Sequence, residues 1–231
     1  VWVAASTWKD NSNPPNLELF KDRHRRVAIG LDLSARNDLT AGVLAVLDDD
    51  ENVHVWPHVF CPSENIEERA KRDRAPYDSW VEQGFLTPLG GASMDYAQIA
   101  TYFKTGIPGV EVDAVFFDRW RIDQFRSACD EKGVFLDAEW TPVGQGFKDQ
   151  SPSLENLMSL LLAKRVFHGG HPLLNMAAAN AISVKDPAGS VKIDKSKSTQ
   201  RIDPLIAMHQ GVFAITEGDM SEDTDVSAMI G

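Results

Sequence analysis

Short runs of apolar residues predict β-strands in both halves of the chain. Near its start, three such runs follow one another, and an acidic turn at 48–52 separates the second run from the third. This spacing is typical of a β-hairpin. Two later runs also predict strands. The five predicted strands are 27–33, 40–47, 53–60, 112–117 and 135–140.

Longer segments have apolar residues at helical spacing and end at helix-breaking residues. Pro76 should interrupt the first of them, and Gly106 and Gly133 should end the next two. A small hairpin around a Pro-Ala-Gly turn is predicted at 184–193. The predicted helices are 64–83, 95–105, 122–132, 151–165, 175–183 and 203–215. Together these elements predict an α/β fold, with a mixed sheet of antiparallel strands 1–3 plus parallel strands, flanked by helices.

Three aspartates stand at the ends of predicted elements. Asp32 closes the first strand, Asp118 follows the 112–117 strand, and Asp203 begins the last helix. If those two strands lie side by side in parallel, Asp32 and Asp118 emerge at the same edge of the sheet. A buried carboxylate is costly unless it is paired or bound to a cation. Carboxylate oxygens are the hard ligands that Mg²⁺ and Mn²⁺ prefer, so these residues predict a divalent-metal site.

The charge of the 231-residue chain is unevenly distributed. Its formal net charge of −11 argues against a protein that simply coats nucleic acid. A basic strip beside metal-bound acids nevertheless suits a polyanion, although a single strip is more commonly a solvated surface. The basic strip comprises Lys185, Lys192, Lys195, Lys197 and Arg201. No apolar run approaches the roughly 20 residues of a membrane-spanning helix, so no membrane partner is expected.

Three segments of the sequence resemble the nuclease motifs of a known family. They read IGLDLS at 29–34 followed by NDLTA at 37–41, VFFDRW at 115–120, and KSTQRIDPLIAM at 197–208. In order and spacing they are similar to motifs of tailed-bacteriophage terminase large subunits, with the HK97-like branch closest. The resemblance covers residues 26–216 and is to the C-terminal nuclease domain of those proteins.

The resemblance implies an RNase H-like nuclease that cuts concatemeric viral DNA during genome packaging. Asp32, Asp118 and Asp203 would be the catalytic acids, and they would hold two Mg²⁺ or Mn²⁺ ions. Asp38 lies where an auxiliary ligand is expected. The lysines and the arginine of the basic strip would contact phosphates of double-stranded DNA.

The same resemblance implies a domain organisation and a set of partners. No G-x-x-x-x-G-K-[ST] phosphate loop is present, so the packaging ATPase is expected to be absent. Residues 1–25 would be an N-terminal extension or linker remnant, 26–216 the nuclease domain, and 217–231 an acidic tail. The expected partners are the small terminase subunit, the portal and the terminase ATPase domain, in the host cell cytoplasm.

Other interpretations of these residues stay open from the sequence. Asp118 pairing with Arg119, or Asp203 capping its helix, would explain each acid without a metal. Another RNase H-like nuclease such as a resolvase, or a half-domain of an actin-like or sugar-kinase fold, would also begin with an acid after the first strand. A non-catalytic docking module would use the acidic tail to bind a basic partner.

Overall fold

A mixed β-sheet forms the centre of the protein. The computed structural model describes residues 1–33, 39–198 and 201–217. Within those residues the strands are β1 (Ala28–Asp32), β2 (Thr40–Leu47), β3 (Val53–Pro62), β4 (Thr87–Leu89), β5 (Ala114–Asp118), β6 (Glu139–Val143), β7 (Val166–Phe167), β8 (Ser183–Lys185) and β9 (Val191–Ile193). The main sheet has the order β4-β3-β2-β1-β5-β6, with β7 paired to β3, and β8 and β9 form a separate hairpin.

In the run β3-β2-β1-β5-β6 the pairing changes from antiparallel to parallel at β1, and β4 and β7 both pair in parallel with β3. Strand β2 pairs antiparallel with both β1 and β3. On its other side β1 pairs in parallel with β5, and β5 pairs in parallel with β6. The predicted hairpin of the second and third strands is therefore confirmed, and so is the parallel pairing of the first strand with the 112–117 strand.

Helices cover both faces of this sheet. They are α1 (Ala5–Lys9), α2 (Ile66–Asp73), α3 (Tyr77–Glu82), α4 (Tyr96–Thr101), α5 (Ile122–Lys132), α6 (Phe147–Leu162), α7 (Pro172–Asn180) and α8 (Asp203–Glu217). The predicted α/β fold, a mixed sheet flanked by helices, is confirmed. In the described part of the chain, no helix is long and apolar enough to cross a membrane.

Side chains of the central strands alternate between two apolar cores. Val43 and Ala45 of β2 belong to the core that α6, α7 and α8 cover. Leu44 and Val46 point to the opposite face and pack in the core that α4 and α5 cover. All four side chains are fully buried. Apolar residues at consecutive positions are expected in a strand that is covered on both faces.

Helix α8 lies directly on β1 and β2 because two glycines occupy the contact. A β-carbon added at Gly30 would overlap the carbonyl oxygen of Ala207 and lie 2.5 Å from the backbone nitrogen of Gly211. A β-carbon added at Gly211 would lie 2.6 Å from the carbonyl oxygen of Val43. Only glycine permits this approach of backbone to backbone. The approach holds the first turn of α8 beside the end of β1.

Helix α6 begins earlier than the sequence predicts. It starts at Phe147, four residues before the predicted start, so Pro152 lies inside the helix. The prediction placed Pro152 in the first turn, where its missing N–H has no helical partner to lose. In the structure, Gln150 of the added turn and Ser151 directly after it accept backbone hydrogen bonds of 3.0 and 2.8 Å from β9. Tertiary hydrogen bonds thus outweigh the proline signal.

The other predicted elements agree with the structure or differ from it at their ends. The interruption predicted at Pro76 is confirmed, because the segment 64–83 forms two helices, α2 and α3, and Pro76 directly precedes the second. The strand predicted at 135–140 is β6, whose bounds follow from its pairing with β5. Helix α7 begins at Pro172 instead of 175. Strands β4 and β7 were not predicted, because strands of two or three residues carry no periodic signal.

The first 25 residues pack against the rest of the described chain. Trp2 and Trp8 are buried, and the indole N–H of Trp8 donates a 2.8 Å hydrogen bond to Asn175. The side chain of Asn11 bridges the Leu161 carbonyl and the Val166 N–H at 2.9 and 3.1 Å. The domain boundaries at 25/26 and 216/217 stay predictions, and the proposed acidic tail lies outside the described residues apart from its first residue.

Replacing Gly30 with alanine should destabilise the protein by about 3 kcal/mol or more, because the new β-carbon meets backbone atoms that cannot rotate away. Urea unfolding of Gly30→Ala beside the wild type measures this difference. Gly91→Ala is the matched control, since its β-carbon would approach only the mobile Glu64 carboxylate at 3.3 Å. Equal stabilities of the two variants would contradict the close approach of α8 to β1.

Candidate active site

Strands β1 and β5 bring two of the predicted acids to one edge of the sheet. The parallel register pairs Leu31 with Phe117, so the next residues, Asp32 and Asp118, end neighbouring strands at the same side. Both side chains are buried, with 1% of Asp32 and 6% of Asp118 exposed. The carboxyl ends of parallel strands are where open α/β sheets place their ligand sites.

Helix α8 brings the third acid to the same edge. Asp203 is its first residue and is 8% exposed. The positive end of the helix dipole lies there and favours a carboxylate. Because α8 rests on β1 at Gly30, Asp203 lies close enough to Asp32 for the two charges to influence each other. The structure therefore gathers all three predicted catalytic acids at one place.

Asp118 is held by neighbours that fix its orientation. One of its carboxylate oxygens accepts a 3.1 Å hydrogen bond from the backbone N–H of Trp120. The other accepts a hydrogen bond from the side-chain amide of Gln145. Gln145 follows β6, the strand beside β5, and sequence reasoning missed it. A polar residue just beyond a strand next to an acid-bearing strand was the available signal.

Lys195 lies between two of the acids. Its ammonium nitrogen is 3.0 and 3.4 Å from the two carboxylate oxygens of Asp32. It is 4.0 Å from the nearer carboxylate oxygen of Asp203. Burial disfavours this positive charge, but Asp32 and Asp203 outweigh that effect and raise the pKa of Lys195 above its ordinary value. Lys195 is therefore positively charged. It neutralises part of the negative charge of Asp32, Asp118 and Asp203, which together form the acid cluster.

Burial raises the pKa values of Asp32 and Asp203, because desolvation penalises their charged forms. The Asp32 carboxylate is favoured by Lys195 and disfavoured by Asp118, and its pKa stays above the ordinary value. For Asp203, burial and then the charge of Asp32 raise the pKa to about 7, against the opposing effects of Lys195 and Arg201. The two carboxylates therefore resist ionising together unless more positive charge is close.

The small hairpin carries two more of the predicted DNA-contacting residues. Lys185 is on β8 and Lys192 on β9. The ammonium of Lys192 lies 4.8 Å from the ring centre of Phe147, at the start of α6. Helix α6 also holds β9 through Gln150 and Ser151. The hairpin is thus fixed to the helix that begins next to Gln145.

Lys197 and Arg201, the two remaining residues of the basic strip, differ in their surroundings. Lys197 is exposed and lies 3.8 Å from the Asp194 carboxylate. Arg201 is only 24% exposed, and its guanidinium is 3.3 Å from the buried carboxylate of Asp73. Tyr77 also donates to Asp73, at 2.8 Å. Arg201 therefore belongs to a buried polar network, whereas Lys197 is open to solvent.

The acids are close to one another but do not converge on a point. Across residues 1–33, 39–198 and 201–217, no three side chains of His, Cys, Asp or Glu are grouped tightly enough to hold one ion. The predicted auxiliary ligand Asp38 lies outside these residues. The donor chemistry still fits Mg²⁺ or Mn²⁺, since three buried carboxylates supply only hard oxygen ligands.

A family model supports the resemblance found in the sequence. The model for the terminase large subunit, endonuclease domain, matches residues 1–222. The chain belongs to this family. The predicted membership of the terminase large subunits is therefore confirmed, and the three acids of this terminase domain stand at the three segments that carried the resemblance.

The HK97-like branch is confirmed by sequence and by structure. The terminase large subunit of Enterobacteria phage HK97 is 48% identical to this chain over 198 residues, a match that covers 86% of this chain and 39% of the relative. The crystal structure of the HK97 large terminase superposes with a TM-score of 0.83 and 45% identity, over 92% of this chain and 43% of that one. The terminase domain thus spans less than half the length of these relatives.

More distant structures agree on the fold. The large terminase nuclease of thermophilic phage G20c with bound cobalt superposes with a TM-score of 0.54 and 12% identity, over 90% of this chain and 94% of that one. The same nuclease with bound magnesium gives a TM-score of 0.50 at 13% identity, with the same coverage of both chains. The predicted RNase H-like fold of this terminase domain is confirmed.

Without metal, the stability of this terminase domain should fall as the pH rises from 3.8 to about 7 because of Asp203. Over that range the folded protein retains the Asp203 proton while the unfolded chain loses it. Each pH unit then costs up to about 1.4 kcal/mol. Asp203→Asn stays neutral and should remove this part of the pH dependence. Urea unfolding in EDTA across the range measures the difference, and parallel curves for the two proteins would contradict the raised pKa.

Proposed function

We propose that this terminase domain is a divalent-metal-dependent endonuclease that cuts concatemeric viral DNA during genome packaging. The observation that carries the proposal is the meeting of three buried carboxylates from β1, β5 and α8 at one sheet edge. Such burial is costly for a purely structural role, because each acid loses its hydration. Cation binding offsets that cost and makes the acids useful for catalysis.

Asp32, Asp118 and Asp203 would hold two Mg²⁺ or Mn²⁺ ions. The related G20c nuclease was crystallised with magnesium and with cobalt, which supports a divalent-metal site in this chain. When bound, two such ions would supply an activated water for phosphodiester hydrolysis and positive charge to stabilise the leaving oxygen. Gln145 and the Trp120 N–H would keep the Asp118 carboxylate in one orientation during that reaction.

The hairpin of β8 and β9 would guide the DNA backbone to the acids. Lys185, Lys192 and Lys197 extend from the hairpin and the loop after it. Contacts with phosphates position a duplex but do not read its sequence, so we expect cutting with little sequence preference. Lys195 and Arg201 are held by acidic residues and would contact DNA only after those pairs rearrange.

The remaining partners would act through the rest of the packaging machine. The relatives are more than twice as long as the matched segment, so a terminase ATPase domain is proposed to accompany this one. The small terminase subunit would choose the cutting site, and the portal would receive the DNA. These assignments would place the activity in the host cell cytoplasm.

Replacing any one of Asp32, Asp118 and Asp203 with asparagine should lower DNA cleavage at least about a hundredfold, because each loss weakens metal binding and charge stabilisation. Nicking and linearisation of supercoiled plasmid measure the rate, with Mg²⁺, Mn²⁺ or EDTA. Asp137→Asn is the matched control: Asp137 is exposed in the loop between α5 and β6 and should be dispensable. Circular dichroism checks that every variant is folded.

Two results would contradict the proposed nuclease. Cleavage that survives all three asparagine variants would place the activity elsewhere or in a contaminant. No cleavage in any metal, together with no metal binding by the wild type, would favour the non-catalytic docking module.

Replacing Lys185 and Lys192 together with glutamate should weaken duplex DNA binding and reduce its salt dependence. Each lost phosphate contact lowers the slope of log affinity against log salt by about 0.9. Fluorescence anisotropy in Ca²⁺, which limits cleavage, measures binding at several salt concentrations. The paired control is Lys104→Glu with Lys132→Glu, which makes the same charge change elsewhere on the surface. Equal slopes for the two double variants would show that the hairpin is not the DNA-binding face.

A further inference from the structure

The ammonium group of Lys195 is in direct contact with the acid cluster. Its ammonium is within 3.4 Å of both carboxylate oxygens of Asp32 and 4.0 Å from Asp203. The side chain of Asp32 is only 2% exposed, whereas that of Lys195 is 38% exposed. The ammonium thus reaches buried carboxylate oxygens from a side chain that is partly exposed to solvent.

The chain presents Lys195 from a structured turn. Asp194 accepts hydrogen bonds from the backbone N–H of Ser196 at 2.9 Å and from its hydroxyl at 2.6 Å. The Asp194 carbonyl accepts from Lys197 and Ser198 at 3.2 and 3.1 Å, and the Asp194 N–H donates to Ile182 at 2.9 Å. These bonds fix the backbone on both sides of Lys195. The side chain therefore approaches the acids from a defined position.

We propose that Lys195 is the resident counter-ion of the acid cluster and that an incoming divalent ion must displace it. This inference rests on the proposed metal site and adds a competitor for it. The carboxylate oxygens that Lys195 contacts belong to Asp32 and Asp203, two of the three proposed ligands. Both cations would use the same carboxylate oxygens, so binding of one weakens binding of the other.

Electrostatics favours displacement over sharing. An ammonium and a divalent ion repel each other, and the low exposure of Asp32 and Asp203 weakens the screening between them. Without metal, the cluster needs Lys195, because unpaired buried carboxylates are strongly unfavourable. With metal, the ammonium can leave toward solvent by side-chain rotation alone. The released lysine is then available to a DNA phosphate, so metal loading and DNA contact are coupled through one residue.

The inference is tested with Lys195→Met, which keeps the length of the side chain and removes its charge. Calorimetric titration with Mn²⁺ should show binding at least about tenfold tighter than in the wild type, because no ion pair has to break first. In EDTA the variant should melt at a lower temperature than the wild type, and saturating Mn²⁺ should close that gap. Lys195→Gln is the second variant if the methionine form does not fold, and it should shift both measurements in the same direction.

Lys197→Met is the matched control, because it removes the same charge from an exposed neighbour that pairs only with Asp194 among the described contacts. Its Mn²⁺ affinity should equal that of the wild type. Equal or weaker Mn²⁺ binding by Lys195→Met would overturn the competition while leaving the metal site intact. An unchanged melting temperature in EDTA would overturn the counter-ion role. If neither the wild type nor Lys195→Met binds Mn²⁺, the metal site and the competition both fail.

Discussion

The contact between α8 and β1 is the constraint on which the rest of this structure depends. Gly30 and Gly211 let the two backbones approach to a distance that any side chain would prevent. The same helix buries residues against β1, β2 and β5, so it closes one of the two cores. Because α8 begins at Asp203, the packing that stabilises the fold also sets the position of a proposed catalytic acid. The packing of α8 therefore determines both the stability of the core and the position of this acid.

The acid cluster has the opposite effect, because burying three carboxylates at one edge costs stability. Loss of hydration, and then the charge of the neighbouring acids, raises the pKa values of Asp32 and Asp203. Lys195 offsets part of that cost within the chain itself. Membership of the terminase endonuclease family gives a reason for keeping such an arrangement, since the proposed divalent ions would need carboxylate oxygens at an edge that DNA can reach.

Strong local signals in the sequence gave correct elements. The second strand was predicted at its observed bounds because an acidic turn and continuous apolar residues mark it. Helix α5 was also predicted at its observed bounds, with Gly133 as its end. Helix α6 and strand β6 were misplaced because their limits follow from hydrogen bonds to β9 and from register with β5. Gln145 was missed, since only the pairing of β5 with β6 brings it to Asp118.

The sequence by itself determined most of the longer elements, the order of the three acidic motifs and the family, because each of these signals lies in residues that are close along the chain. Only the tertiary structure decided how the acids meet and which cation accompanies them. Lys195 is 163 residues from Asp32 in sequence, and it appeared from the sequence only as one member of a basic strip. Its place in the acid cluster follows from a hairpin held on α6 and a helix held on β1. Such contacts depend on burial and backbone packing, which local patterns do not encode.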